Sequence, residues 1–357
     1  MHRFSTVFIL ACLLCLYVAS GKAKAESGGF VDPLDVAAVV TTQLASQPFI
    51  AIAPAGDHLV AVGPRGVIAY SGPNGQDWQQ AAVPVQSDLV AVQFTDAKNG
   101  WAVGHDSVIL HTQDGGRSWT KELDGRSARS IFENIYNKDI ASGNAPVSAD
   151  LQEIQSNFDP GPILPWLGVW FTDNQTGYAV GPFGDIAKTT DGGENWIPWL
   201  DHIDNPNFYD LNAIGAVGTQ LYIVGEQGTV FYFDSSQQKF VARPTSYSGS
   251  LFGVTGDDHT LIVFGLRGNI FRSTDQGKTW TQSKNPSQSS IMSGIRTRDG
   301  QYVLVTADGF VLRSTDDGLS FQLVGRWNQN VPLTGLAESQ QGLVLTSLDG
   351  IRPVQRN

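Results

Sequence analysis

Cysteine occurs only twice, as Cys12 and Cys15, and both lie in the first 25 residues. Those residues read as a cleaved secretory signal: Arg3, an apolar run from Val7 to Val18, then Ala23-Lys24-Ala25 as an A-x-A site. The run is too short to cross a bilayer as a helix, so no direct membrane insertion is expected after cleavage. Acylation at Cys12 competes with this reading, but Ile9-Leu10-Ala11 sits too early in the apolar run. A mature chain beginning near Glu26 has no thiol nucleophile, no disulfide and no thiolate metal site. Such an exported chain must rest on its packed core.

Basic residues are scarce too. Past the signal, 20 stand against 34 acidic residues, a net charge of −14, which argues against nucleic acid or an anionic membrane surface as partner. There is no H-E-x-x-H, no G-x-S-x-G and no phosphate loop. The five mature histidines (His58, His105, His111, His202, His259) are scattered in sequence. No metal and no cofactor is expected.

What is abundant is glycine, at 39 residues, and that profile suits short strands joined by tight turns. An octet recurs: TQDGGRSW from Thr112, TTDGGENW from Thr189, STDQGKTW from Ser273 and STDDGLSF from Ser314. SGPNGQDW from Ser71 is a decayed copy, and DSSQQKF, ending at Phe240, is more worn. The closing aromatics fall at 78, 119, 196, 240, 280 and 321. One gap is nearly double the others, which marks an insertion between Trp119 and Trp196.

A second pattern runs in phase with the first. Seven units such as VAVGPRGVIAY, WAVGHDSVILH and YAVGPFGDIAK each join two apolar strands by a four-residue link. With an apolar strand before and a polar strand after, a unit is four antiparallel strands of about 40 residues, the period of a propeller blade. The predicted fold is all-β, a seven-bladed β-propeller over residues 26–357. Its seventh unit ends near Val354 without a fourth strand. Residues 36–42, which belong to no unit, are predicted to supply that strand and so close the ring and cover an open edge.

The octet then lies at the turn between third and fourth strands. Asp114, Asp191, Asp275 and Asp316 are expected to accept backbone N–H bonds across it, facing away from the central channel. The fifth-position glycine is expected at positive φ, and Trp119, Trp196 and Trp280 are expected to pack between blades. Ca²⁺ at these turns is the lesser reading, because one carboxylate per turn supplies too few ligands.

The octets resemble the Asp-box, or bacterial neuraminidase repeat. The combination GWAVG…VILHTQDGGRSW and GYAVG…DIAKTTDGGENW resembles the photosystem II stability/assembly factor family, over roughly residues 48–350. That resemblance implies an exported propeller acting as a scaffold on an early assembly intermediate of the reaction centre. It implies a protein partner, membrane-associated in the family's setting, and a periplasmic location, or the thylakoid lumen in a phototroph. Photosynthetic members use an arginine-rich surface. Here only Arg65 and Arg267 stand at the corresponding kind of position; the other links carry Asp106, Phe183, Gln227, Asp308 and Asp349.

The links open on the face shared with the blade-to-blade connections, a common binding face in propellers. Candidate partner-binding residues there are Arg65, His105, Asp106, Phe183, Glu226, Arg267, Asp308 and Asp349. Trp170 is a candidate to project into the channel. The insertion, about residues 125–165, is expected to hold one helix over Ser127–Tyr136, with Ile131, Ile135 and Phe132 on one face, and a second over Ala149–Gln155. Between them lies Gly143-Asn144-Ala145-Pro146. A long excursion from a rigid scaffold suits a partner-binding flap, with Phe132 and Tyr136 as contacts, or a lid over the channel.

The expected function is a non-enzymatic scaffold. The alternative is a carbohydrate-binding or sialidase-like glycoside-cleaving Asp-box propeller. Sialidases take one carboxylate-binding arginine from an R-I-P stretch in the first blade; here that stretch is PFIAIAPAG, and Arg65 is the first arginine after the signal.

Overall fold

The computed structural model describes residues 31–143, 147–161, 163–327 and 331–355. The signal segment and residues 144–146 of the insertion lie outside the described residues.

The periodic apolar units build seven antiparallel sheets, strands in sequence order within each. They span residues 51–80, 89–123, 168–198, 211–242, 251–282, 291–326 and 333–355 and are numbered here as blades one to seven. In six of the seven blades the second strand is wholly buried, as in His58–Val62, Gly100–Gly104 and Tyr302–Thr306, and in blade four only Gln220 at its start is not. The second strand is the middle of a sandwich of neighbouring blades, which is why these strands read as continuous apolar runs. Residues 32–357 form one compact unit.

The seventh blade differs from the expectation. It has three strands, and residues 36–42 form none. Instead Leu34 is buried against Ala81, Val83 and Val85 of blade one's outer edge. From there the chain runs along that edge: the Ala38 amide donates to the Val83 carbonyl at 3.0 Å, and the Gln80 side chain bonds the Thr41 amide and the Val39 carbonyl. Lys121 Nζ holds the Leu34 carbonyl, and Arg126 holds Asp35. Anchored this far round the ring, 36–42 are spent on blade one. Closure falls to the next residues. The 3-10 turn Leu44–Ser46 packs on the last strand, the Phe49 amide donates to the Ser347 carbonyl, and Thr334 Oγ1 donates to the Phe49 carbonyl.

The octets sit between third and fourth strands, as expected. In blade two, Thr112 Oγ1 donates to Asp114 Oδ1 and accepts the Gly116 amide, while Asp114 Oδ1 also accepts the Ser118 amide at 2.9 Å. Burial raises the Asp114 pKa, but the hydroxyl and amide of Ser118 and the hydroxyl of Thr112 outweigh it and hold it low. Asp275, donated to by Thr279 and Ser273, is held at about 2. Positive φ extends over two residues rather than one: Gly115 and Gly116, Gln276 and Gly277, Asp317 and Gly318. The fourth position tolerates a side chain, whereas the fifth is glycine in all four octets. The reason is contact with the preceding blade, since a Cβ on Gly116 would stand 2.8 Å from Val60 Cγ2, and one on Gly318 2.4 Å from Ile262 Cδ1.

The closing aromatics fill the spaces between blades. Trp119 joins the core of blades one and two, Trp196 donates to Glu122 of blade two, and Phe240 meets Tyr178 of blade three edge-on. Trp280 donates to the Arg243 carbonyl beyond blade four, and Phe321 packs on Ile262, Phe264 and Ile270 of blade five. Trp78, in the decayed octet, packs with Ala337, Val344 and Ile351 of blade seven.

Candidate functional site

Each link is a tight turn whose conformation is fixed by the next blade. Arg65, Asp106, Phe183, Gln227 and Arg267 all lie at φ between 54 and 60°. Left-handed backbone costs a non-glycine residue about 1 kcal/mol, and here a hydrogen bond offsets it. The Arg65 amide donates to Asp88 Oδ1 and the Phe183 amide to Asp210 Oδ1, both at 2.8 Å, and the Arg267 amide to Ser290 Oγ at 3.3 Å. Asp88, Asp210 and Ser290 each stand just ahead of the next blade's first strand. The links therefore share a face with the blade-to-blade connections.

The candidate residues divide into two groups. Arg65, His105, Phe183 and Arg267 present exposed side chains, Phe183 at 48%. The acids are used locally. Asp106 accepts from Ser87 Oγ, Glu226 from the Asp210 amide, Asp308 from Thr306 Oγ1 and Asp349 from Ser347 Oγ. Among the described residues, no hydrogen bond or ion pair joins any two of the eight.

The central channel, about 490 Å³, is lined by first strands. Trp170 lines it, and so do Gln93, Arg296, Arg298 and Glu338. None of the eight link residues and none of the four Asp-box aspartates does. Arg296 pairs with Asp257 at 2.9 Å. The sequence reading missed these channel arginines; the signal lay in the ends of the first strands, where an apolar stretch closes on a basic residue (GIRTR).

The insertion is a helical hairpin, α1 (Gly125–Ala141) and α2 (Ser148–Phe158). Asp124 caps α1, accepting the amides of Arg126 and Ser127, and pairs with Lys121 and Arg126. Two expectations fail here. The buried face of α1 is Ala128, Phe132 and Tyr136, while Ile131 is exposed. Phe132 and Tyr136 are core side chains, unavailable as partner contacts. An i, i+4 stripe through 128, 132 and 136 won over the apolar isoleucines because Tyr136 finds polar partners at depth. Its hydroxyl accepts the Leu200 amide and donates to Asp201. Among the described residues, none of the hairpin lines the channel. It packs on the outer strand and link of blade three.

Under it lies Asp185, which holds the post-link position occupied in other blades by Val67, Val108, Thr229 and Asn269. Asn157 of α2 donates to its carboxylate at 3.0 Å. Burial pushes its pKa up to about 7, against the Asn157 bond, and the nearby charge of Glu153 pushes the same way. Burial likewise raises Asp150 to about 6, helped by Asp201.

Known proteins place this geometry in a group. The family model described as photosynthesis system II assembly factor YCF48 matches residues 71–138 and 151–322. A photosystem II assembly protein Ycf48 from Synechococcus sp. (strain JA-3-3Ab) is 24% identical over 273 residues, covering 59% of this chain and 79% of that protein. A photosystem II assembly lipoprotein Ycf48 from Synechococcus sp. (strain CC9902) is 23% identical, covering 69% and 65%. Among solved structures, YCF48 bound to D1 peptide superposes with a TM-score of 0.61 at 17% identity, covering 92% of this chain and 98% of that one. The WD40 propeller domain of Doa1 reaches 0.62 at 11% identity, so structural likeness alone reports the propeller. The family match spans well over half of the chain and includes blades two to five and most of blade six, and on it the chain belongs to the photosynthesis system II assembly factor YCF48 family.

Proposed function

We propose that this chain is an exported, non-enzymatic scaffold that binds a protein segment during assembly of a membrane complex of the photosystem II kind. One observation carries the reading: the link face presents Arg65, His105, Phe183 and Arg267 outward from backbone that the neighbouring blades hold rigid. A preformed surface binds without ordering cost. The related YCF48 structure bound to D1 peptide supports a peptide partner. The sialidase-like alternative has no observation of its own, because the Asp-box carboxylates are consumed by their turns.

The test is a titration of the purified chain with a D1 peptide. Saturable binding is expected, weakened at least tenfold in Arg65→Glu/Arg267→Glu. Binding that is absent, or indifferent to the double substitution, refutes the assignment of this face. Export is checked by sequencing the N-terminus of the mature protein, which should start near Glu26.

A further inference from the structure

Six of the seven spaces between blades are plugged by an aromatic from the later blade's third-to-fourth-strand turn. Three of these turns add backbone pairing to the earlier blade's outgoing chain, at Ala82 with Ser118, Ile203 with Phe240 and Lys284 with Ser320. Among the described residues blade seven has no fourth strand, so the space between blades six and seven receives no octet aromatic, and the aromatic that lines it is Trp327, just past blade six's outer strand. It remains a cleft of about 550 Å³ walled by Val303 and Val311 on one side and Leu343, Leu345 and Val354 on the other.

The neighbouring joint shows what the cleft is shaped to hold. In blade five, Arg272 directly precedes the octet, and it reaches into blade six's turn. Its Nε donates to the Asp317 carbonyl at 2.6 Å, and its Nη2 meets the Asp317 carboxylate at 2.5 Å. Arg313 holds the same place in blade six, directly before Ser314. It lines the cleft, and its Nε is buried with no hydrogen-bond partner among the described residues. A buried donor left unmade costs about 1–3 kcal/mol. The two acids in the cleft wall are engaged elsewhere: Asp299 accepts from Thr297 and Gln301, and Glu338 from the Arg298 amide. The adjoining outer strand of blade six, Gln322–Arg326, is five residues long, where blades one, three and five have two. It exposes Leu323 and Val324, each 48%, with Leu319 at 53% beside it. Exposed apolar strand edges of this length are pairing surfaces.

We propose that the cleft between blades six and seven is a second protein-binding site, which takes a partner's turn segment carrying an aromatic side chain with a carboxylate four residues before it. The aromatic enters between Val311 and Leu345, and the turn's carbonyl and carboxylate meet Arg313, as Asp317 meets Arg272. The proposal rests on the protein-binding reading above but uses a different face.

The probe is a fluorescein-labelled synthetic peptide, STDDGLSFQLVG, copying residues 314–325, titrated by anisotropy into the full chain. Saturable binding is expected. Replacing the peptide's phenylalanine by alanine, or the aspartate that copies Asp317 by asparagine, should weaken it at least tenfold. Arg313→Ala should do the same, and Val354→Trp, which fills the cleft from within, should abolish it while Tm stays within a few degrees of the wild type. No binding, or binding that survives Val354→Trp, overturns the proposal. A concentration-dependent dimer lost in Val354→Trp would also overturn it, assigning the cleft to a second copy. The D1-peptide titration separates the two readings: a wild-type chain that binds D1 peptide but not the probe sinks this site alone, and probe binding retained in Arg65→Glu/Arg267→Glu, whatever happens to D1 binding there, leaves this site standing.

Discussion

Replacing Asp185 with asparagine tests the electrostatics beneath the hairpin. Asparagine keeps the shape and the oxygen that Asn157 donates to, and removes only the ionisation. The folded pKa of about 7 stands roughly three units above the ordinary 3.8. At about 1.4 kcal/mol per unit, ionised Asp185 costs the folded chain about 4 kcal/mol. Burial is complete, so solvent screening does not discount this figure. The sign follows from proton linkage. The folded state holds this proton more tightly than the unfolded state does. Its stabilising effect is therefore fully present below about pH 4, declines as pH rises through 4 to 7 and is gone above the folded pKa. Undocking of the hairpin caps the loss, because an open hairpin solvates the carboxylate.

Urea denaturation of both chains at half-unit steps from pH 4.5 to 8.5 gives the difference curve. Asp150 and Glu153 titrate in the same direction in both chains, so the difference reports Asp185. The variant is expected to gain 2–4 kcal/mol on the wild type between the two ends, about the linkage figure less the undocking cap, with hydrogen exchange of residues 125–158 slowing at pH 8. Curves that run parallel within about 0.5 kcal/mol would refute the reasoning.

Two further outcomes test the scaffold. Phe132→Ala should cost about 3–5 kcal/mol and release exchange protection over α1 and α2 while blades four to six keep theirs; loss of protection throughout the ring would contradict a separately docked hairpin. Asp275→Ala removes the acceptor for the Thr279 amide and hydroxyl and for Ser273 Oγ and should cost about 1–3 kcal/mol at pH 7. Because that carboxyl is depressed to about 2, its contribution is present above about pH 4 and fades as pH falls toward 2, so wild type and variant should converge in acid.

The ring was legible because it is written in repeats. Octet spacing and the apolar units fixed seven blades and the location of the turns, since each turn needs positive φ at Gly116, Gly193, Gly277 and Gly318, and three of the four also stand against the preceding blade. The insertion's helices were legible in kind but not in facing. Ile131 and Ile135 looked like the buried stripe, and only the positions of Leu200 and Asp201 explain why Tyr136 is buried instead. The N-terminal assignment failed because 36–42 carry no pattern that prefers one edge over another; Leu34, held by Lys121 87 residues away, and Asp35, held by Arg126 91 residues away, chose it. Asp185 escaped notice for a different reason. It is a single polar residue at a buried repeat position, visible only once the units are aligned on their links.

The seam at Phe49 also carries a kinetic consequence. Its bond from Thr334 spans 285 residues, so the ring cannot shut until nearly the whole polypeptide exists. Contacts this remote make for slow acquisition of the native state. Until the seam closes, the early blades stand as an open arc whose face at Phe49 and Leu59 lacks its cover from Ala337, Val344 and Ile351, so shielding that face is expected to raise the yield of folded protein.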